Sequence, residues 1–198
     1  MKSRLYFLAT CLVFCPSFLS SAKAQPPQFP TPAKQHHWLE QFTGHWESLS
    51  KTVATPEQPA VQFKGSMKSR MLGKFWVVNE VRGEGLGNGD FKALQTVGYD
   101  AKKKKYVGIW IDSMMGQLWH YEGTVDETGK KLTLVAEGPD MMDQNKLTKY
   151  RDSYEFKSAD LILATSEIMG PDGKWQAFMT GEMRRVEPHS SLMAKEKK

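Results

Sequence analysis

The chain has 198 residues, 40% of them hydrophobic, which is enough for one domain with a packed core. Both of its cysteines lie in the first 24 residues, and the rest of the chain has a formal charge of only +2, which argues against a disulfide framework and a nucleic-acid partner. No stretch after the first 24 residues is apolar enough to cross a membrane. We therefore expect neither a nucleic-acid partner nor a membrane-spanning segment.

The first 24 residues predict a cleaved export signal. Lys2 and Arg4 precede an apolar run over residues 5–19, and small residues flank Lys23 just before the expected cleavage point at Gln25. Cleavage removes both cysteines, and it lowers the formal charge from +5 to +2 because three basic residues and no acidic one leave. We expect a cysteine-free protein in the periplasm or secreted, held together by packing alone.

Both ends of the remaining chain differ in composition from its middle. Residues 25–31 are rich in proline and predict a stiff tether. Residues 188–198 are polar and lysine-rich and predict a frayed tail. One domain over residues 32–187 is expected between them.

One helix is predicted at the start of this domain. Thr31 suits an N-cap and Pro32 suits the first helical position. Apolar residues then recur at helical spacing from Trp38 to Phe42, and Gly44 ends the helix.

From Gly44 onward, short segments with strand patterning alternate with turns rich in Gly, Asp and Pro. Their spacing is typical of an antiparallel barrel or sandwich. The predicted strands are 45–53, 60–67, 75–83, 91–99, 105–113, 117–125, 131–137, 147–156, 161–168 and 175–186.

The pattern favours an all-β fold: a single antiparallel up-and-down β-barrel of about ten strands. A sheet of this length must hide its edges, and closure into a barrel hides them completely. The short N-terminal helix would close one end. An open sandwich remains the alternative.

Gly44-His45-Trp46 stands where the helix meets the first strand. It resembles the Gly-x-Trp signature of lipocalin-like (calycin) barrels. This resemblance implies that Trp46 packs at the barrel floor under a basic residue of the last strand, a cation–π contact. Strand alternation lets only one of Arg184 and Arg185 face inward, and we favour Arg185.

Several motifs spread over most of the chain resemble a bacterial family known as domain of unknown function 1579. That family implies no activity or catalytic residues to transfer, so the resemblance supports the barrel alone. The motifs are His37-Trp38-Leu39, Gly44-x-Trp46-Glu47, Thr96-x-Gly98-Tyr99-Asp100, Tyr106-x-Gly108-x-Trp110-Ile111-Asp112-Ser113-Met114, Tyr121-Glu122-Gly123, Glu137-Gly138-Pro139-Asp140, Tyr150-Arg151-Asp152 and Gly170-Pro171-Asp172-Gly173-Lys174-Trp175.

Asp112 is the most suggestive polar residue, because it ends an otherwise apolar strand beside Trp110 and Met114. Arg151 could supply a bidentate partner for its carboxylate. In a barrel mouth such a pair could orient a ligand or act as an acid and base. The alternative is a surface salt bridge or an aspartate that caps a turn.

His120 and Glu122 share one face of their strand. If that face is inward, His120 could ligate haem or a metal; a satisfied or exposed histidine is the alternative. With no cysteine left after cleavage, a structural zinc is not expected. We therefore assign no cofactor.

Three functional hypotheses follow. The first is a carrier or sensor that binds a small apolar or amphipathic molecule, with Trp110, Asp112, Met114, His120, Glu122 and Arg151 as candidate ligand-binding residues. The second is an enzyme with an acid–base site at Asp112 and Arg151. The third is an envelope interaction module with a solid barrel. The sequence leaves the oligomeric state open and shows no nucleophile or dinucleotide motif.

Overall fold

The computed structural model describes residues 29–56, 58–84, 89–143 and 145–187. The chain divides into a segment that ends at Thr31 and a unit that begins at Pro32. The predicted export signal and the predicted C-terminal tail lie outside the described residues and stay predictions. No helix within these ranges is long and apolar enough to span a bilayer.

The N-terminal helix, α1, runs over Lys34–Trp38 and continues into a 3₁₀ turn over Leu39–Phe42. It begins after Ala33 rather than at Thr31, so the predicted N-cap was wrong. The physical reason is the His36 ring, because its Nδ1 accepts a hydrogen bond of 2.9 Å from the Ala33 N–H. A side chain within the first turn thus takes the part that Glu or Gln plays in a capping box.

Ten strands follow the helix, as predicted. Each pairs antiparallel with its sequence neighbours, and the first also pairs with the last. The strands are β1 (Gly44–Thr52), β2 (Gln62–Leu72), β3 (Trp76–Glu84), β4 (Asp90–Asp100), β5 (Lys105–Asp112), β6 (Trp119–Val125), β7 (Lys131–Pro139), β8 (Leu147–Ser158), β9 (Leu161–Met169) and β10 (Trp175–Val186).

The pairing of β1 with β10 closes the sheet into a barrel, which confirms the predicted fold class. Closure gives every strand two partners, so no strand edge is left open to other chains. The register places Trp46 opposite both Arg185 and Met67, which defines the inward face at the start of β1.

β2 is longer than predicted and reaches Leu72 instead of ending at Met67. It stops where Gly73 turns the chain with φ +62°, a conformation that favours glycine. The segment after Met67 is rich in polar residues, yet Ser69 faces inward and is only 5% exposed. Because the inward position is occupied by a serine, the segment lacks the alternation of apolar and polar residues that predicts a strand.

The helix closes one end of the barrel, which we call the floor. Phe42 packs on Phe156 with ring centroids 5.0 Å apart, and the Trp38 indole donates to the Gly129 carbonyl at 2.7 Å. Leu39 is fully buried. The opposite end, which we call the open end, carries the β1–β2, β3–β4, β5–β6, β7–β8 and β9–β10 loops, since these strands run up and down.

Candidate functional site

Arg185 and Trp46 lock the floor. The Arg185 guanidinium carbon lies 4.2 Å from the centre of the Trp46 ring. Its Nη1 donates to the Thr43 carbonyl, and its Nη2 donates to the Gln41 carbonyl at 3.1 Å. Arg184 instead points outward and pairs with Glu182 at 2.8 Å. These contacts join the last strand to the end of the 3₁₀ turn, and their role is structural.

Asp112 faces inward at the open end, where it organises the β5–β6 loop. Its Oδ2 accepts a bond of 2.8 Å from the Trp110 indole N–H. Its Oδ1 accepts from the backbone N–H groups of Met114 and Met115 at 2.8 and 3.2 Å. This is the turn-capping alternative, and it leaves Met114 exposed on the loop.

Arg151 does not meet Asp112, so the predicted pair does not form. It lies on the outer face of β8, where it makes two bonds of 2.6 and 2.7 Å to Glu167 of β9. Its guanidinium also lies 4.4 Å from the Trp175 ring. Side chains alternate along a strand, so Arg151 points away from the interior that Asp152 faces. The acid–base site proposed for Asp112 and Arg151 is not assembled.

His120 and Glu122 also face outward. They alternate with Trp119 and Tyr121, which are buried inside the barrel. Glu122 is paired with Lys103 at 2.5 Å on the surface. The condition under which His120 would reach a ligand or a haem inside the barrel is therefore not met. No group of three or more His, Cys, Asp or Glu side chains in the described ranges is placed to hold a metal.

A polar cluster lies deep inside the barrel, around Asp152. The Tyr121 hydroxyl donates to Asp152 Oδ2 and the Ser166 hydroxyl donates to Oδ1, both at 2.5 Å. Burial raises the pKa of the Asp152 carboxyl, although these two hydrogen bonds lower it in part. Burial, followed by the Asp152 charge, raises the pKa of the Tyr121 hydroxyl well above its ordinary value. Tyr121 therefore remains a donor at neutral pH.

A second polar row crosses β2, β3 and β4 at one level. Ser69 lies opposite Asn79, and Asn79 lies opposite Gln95. The Asn79 amide donates to Gln95 Oε1 at 2.9 Å, and the Gln95 amide donates to the Tyr154 hydroxyl at 3.1 Å. Asn79 Oδ1 and Ser69 Oγ are buried and have no hydrogen-bond partner within the described part of the chain. Unpartnered buried polar atoms such as these cost stability.

The inward-facing residues of the polar cluster are less buried than their neighbours. Asp152, Tyr154 and Ser166 keep part of their surface accessible. Leu134, which lies opposite Asp152 on the inward face of β7, is 0% exposed. The polar cluster is therefore the partly accessible part of the inward face at this level.

Two unlike walls lie between the polar cluster and the open end. Aromatic residues line β4, β5, β6 and β8: Phe91, Trp110, Trp119 and Tyr150. Small residues line the other half of the barrel: Ser48, Ser50, Gly65, Gly83, Ala164 and Gly181. This second half is closely packed, because a Cβ on Gly65 or Gly181 would lie 2.8 or 2.6 Å from a serine hydroxyl of β1. Near the strand ends of this second half, Phe63 and Phe178 add apolar surface.

The rim of the open end is apolar and exposed. The β5–β6 loop and its flanks carry Met114, Met115 and Leu118, which are 42–55% exposed. The β7–β8 loop carries Met141 and Met142, of which Met142 is 95% exposed. Methionine side chains adapt to many apolar shapes. The rim thus presents flexible apolar side chains at the open end.

Two further pockets flank the floor rather than the interior. One, of about 450 Å³, lies beside α1 and is lined by Trp38, Tyr106 and Asp126 among others. The second, of about 320 Å³, lies beside Arg185 and Phe156. Burial raises the pKa of Tyr106 to about 12, so its hydroxyl stays protonated and donates to the Gln35 carbonyl. These pockets belong to the packing of the helix end.

Comparison with known proteins places this geometry in a family. The sequence profile of the family described as "Protein of unknown function (DUF1579)" matches residues 31–185. The chain belongs to the DUF1579 family. No curated protein matches the sequence of this DUF1579 chain.

Several solved structures resemble the DUF1579 barrel. Rv2717c from M. tuberculosis is 12% identical with a TM-score of 0.58, and the match covers 79% of this chain and 100% of that one. The S-type phycobiliprotein lyase CPES from Guillardia theta is 14% identical with a TM-score of 0.48, over 78% and 93% of the two chains. A barrel described as EF1p2_mFAP2b bound to DFHBI is 9% identical with a TM-score of 0.42, over 77% and 99%. At these identities the likeness to Rv2717c shows the fold alone.

The polar cluster of this DUF1579 protein escaped the sequence analysis. Tyr150-Arg151-Asp152 drew attention for Arg151, yet it is Asp152 that faces the interior. Asn79 and Gln95 were not singled out at all. A usable signal was present, because Asn79 stands two residues from both Val77 and Val81 on the inward face of β3. A polar residue at an apolar position of the alternation marks a buried polar site.

Proposed function

We propose that this DUF1579 protein is exported and binds a small apolar or amphipathic molecule inside the open end of its barrel. The observation that carries the proposal is the accessible inner surface of Asp152, Tyr154 and Ser166, deep among fully buried neighbours. A ten-stranded barrel is wider than the eight-stranded barrels whose side chains fill the interior or leave room for one small ligand. Apolar walls with a few convergent polar groups are typical of small-molecule sites.

The two walls and the polar cluster suggest how the molecule lies. Its apolar body would stack along Trp110 and Trp119, on the wall that faces Ala164 and Gly181. Its polar end would point down towards Asp152, Tyr154 and Ser166, which keep part of their surface accessible. Polar groups at the inner end of an apolar wall favour an amphipathic molecule over a purely apolar one.

Export rests on residues 1–24, which lie outside the described part of the chain. Their basic start, apolar run and small-residue cleavage point support a signal that delivers the barrel to the periplasm or outside the cell. Intact mass measurement of the protein from culture or periplasmic fractions should give a chain that begins at Gln25. A chain that keeps Met1 and stays with the cytoplasmic fraction would overturn export.

The binding proposal can be tested on the protein from its own host. Native mass spectrometry should show a small-molecule adduct that is lost on denaturation. The neutral dye N-phenyl-1-naphthylamine should fluoresce on binding to the emptied barrel. A wild-type protein that carries no adduct and gives no dye signal would overturn the proposal.

A matched pair of variants locates the binding inside the barrel. Ala164→Phe places a ring in the interior, because Ala164 lies opposite Tyr154 and Gly181 on the inward face. Thr165→Phe places the same ring on the outer face of the same strand. Ala164→Phe should lose dye binding and Thr165→Phe should keep it. Equal binding by both variants would show that the dye binds elsewhere.

The apolar rim favours a second candidate, an envelope interaction module. Met114, Met115 and Met142 are exposed on loops at one end of the barrel, where apolar side chains can meet a partner. Light scattering on the purified protein would then show a stable dimer or complex. Met142→Ser should shift it to a monomer without affecting dye binding inside the barrel. A monomer at all concentrations, with no partner retained from the host, would exclude this candidate.

A further inference from the structure

Above the floor, the charges that face the barrel interior share one sign. Among the strand residues that the structure describes, the inward-facing charged side chains are Asp112, Asp152 and Arg185. Arg185 lies at the floor, where it is engaged with Trp46 and with three backbone carbonyls, the third being that of Ala159. The space above the floor therefore holds two carboxylates and no basic side chain from these strands.

Neither carboxylate forms an ion pair with a described residue. Asp112 accepts from the Trp110 indole and from two backbone N–H groups. Asp152 accepts from the Tyr121 and Ser166 hydroxyls. The two carboxylates act on a common neighbour, since the negative charges of both bear on the Tyr121 hydroxyl. Buried carboxylates normally have a cationic partner, and here that partner is missing from the strands.

The Asp152 carboxylate is the strongest acceptor of the cluster. It accepts from the Tyr121 and Ser166 hydroxyls, while Asn79 and Gln95 each use one amide N–H within the polar row. Asn79 Oδ1 is a further acceptor without a donor, but Asn79 is 0% exposed. A ligand that brings N–H groups suits the Asp152 carboxylate, which can only accept. An ammonium group brings three and a positive charge as well.

The aromatic wall suits the same ligand chemistry. Trp110 and Phe91 lie nearly parallel with centroids 6.3 Å apart, and Trp119 meets Tyr150 edge-on at 5.0 Å. The faces of such rings attract organic cations, most strongly where water is excluded. Carboxylates beside aromatic faces attract an ammonium group and repel an anionic headgroup.

We infer that the molecule held in the barrel is a cationic amphiphile, an organic amine with an apolar body, with its ammonium group directed towards Asp152. This inference rests on the proposed function, because it names the ligand class of that same site. It excludes fatty acids and other anionic amphiphiles as the ligand.

Three probes with one alkyl chain and different headgroups test the inference. Decylamine, 1-decanol and decanoate are each titrated at pH 7 against the barrel loaded with N-phenyl-1-naphthylamine. Decylamine should displace the dye at a concentration at least about tenfold lower than decanoate, because a hydrogen bond to a charged group discriminates by about that factor. The alcohol should fall between the two.

Two variants that each remove one negative charge distinguish the effect of the inner carboxylate from the effect of the protein's net charge. Asp152→Asn keeps the shape of the side chain and should weaken decylamine binding about tenfold, with the alcohol changed less than about twofold. Glu122→Gln removes a carboxylate on the outer face, beside Tyr121 in sequence, and should change neither. If Asp152→Asn does not fold, Asp112→Asn provides the second test, with a smaller loss expected for the amine.

The outcomes distinguish the two levels of the proposal. A protein that binds no dye overturns the proposed function and this inference with it. Dye that is displaced equally well by all three probes, or better by decanoate, overturns the cationic ligand and leaves the binding function standing. A preference for decylamine that survives unchanged in both Asp152→Asn and Asp112→Asn also overturns the inference.

Discussion

The guanidinium of Arg185 lies 4.2 Å above the indole of Trp46, and its three nitrogens bind carbonyl or carboxylate oxygens around it. Those oxygens belong to the 3₁₀ turn, the start of β1 and the β8–β9 turn. One side chain of the last strand thus joins both ends of the barrel sequence. Since β1 pairs with β10, this contact fastens the seam where the barrel closes.

Replacement of Arg185 by lysine should destabilise the fold. Lysine keeps the charge but cannot make the forked set of hydrogen bonds, so we expect a loss of about 1–3 kcal/mol in the free energy of unfolding. Urea denaturation followed by tryptophan fluorescence measures this. Arg184→Lys is the control, because Arg184 is exposed and its pair with Glu182 is worth little. A loss as large in Arg184→Lys would contradict the role given to Arg185.

Gly44→Ala should also weaken the floor. Gly44 has φ +125°, and a Cβ there would lie 2.5 Å from Arg185 Nη1. Alanine would be strained by its backbone and would push the guanidinium off Trp46, so the free energy of unfolding should fall by more than about 1 kcal/mol. Gly116→Ala is the matched control, because a Cβ there meets nothing within 4 Å. Equal stability of the two variants would show that the Gly44 backbone is not constrained.

The sequence predicts the barrel well because its local signals agree. Turns such as that at Gly173, with φ +74°, separate strands of nearly regular length, and the helix start is the main error. The error arises because the His36 ring accepts a hydrogen bond from the N–H of Ala33, the residue before the helix. Capping-box rules expect Glu or Gln at the position of His36 and miss a histidine there.

The inner site is poorly predicted because its residues meet only through the closed sheet. β5 is apolar on both faces, so Trp110 and Ile111 compete for the inward position. Asp112 was placed correctly beside Trp110, whereas its proposed partner Arg151 lies on the other face of its own strand. Contacts across the barrel, such as Gln95 with Tyr154, join residues 59 apart in sequence. A local sequence pattern spans only a few residues, so it cannot reveal a contact between residues this far apart.

Two inward-facing serines should respond differently to replacement by alanine. Ser69 Oγ has no hydrogen-bond partner among the described residues, so Ser69→Ala removes an unsatisfied group. We expect the stability of the ligand-free protein to stay level or to rise by up to about 1 kcal/mol. Ser166 donates to Asp152 at 2.5 Å, so Ser166→Ala should cost about 1–3 kcal/mol. Thermal and urea unfolding of both variants measure these effects, and a large loss in Ser69→Ala would reveal a partner for that hydroxyl.

Asp152 should give the protein a distinctive pH dependence. Burial raises the pKa of its carboxyl above the ordinary value of 3.8, so in this region of pH the folded state binds more protons than the unfolded state. The contribution of Asp152 to stability is therefore fully present below pH 3.8 and is lost as the pH rises through its folded pKa. Asparagine does not titrate, so Asp152→Asn should become progressively more stable relative to the wild type over that interval.

Urea unfolding of both proteins at a series of pH values from 3 to 8 measures this difference directly, because the other carboxyl groups are common to both. The difference in free energy of unfolding should be constant at the acidic end, rise through the folded pKa of Asp152, and level off above it. Decylamine at saturating concentration should reduce the rise, since a bound ammonium group stabilises the carboxylate that the empty barrel disfavours. A difference that does not change with pH would mean that Asp152 keeps an ordinary pKa. Its carboxyl group would then be as well hydrated as one on the protein surface.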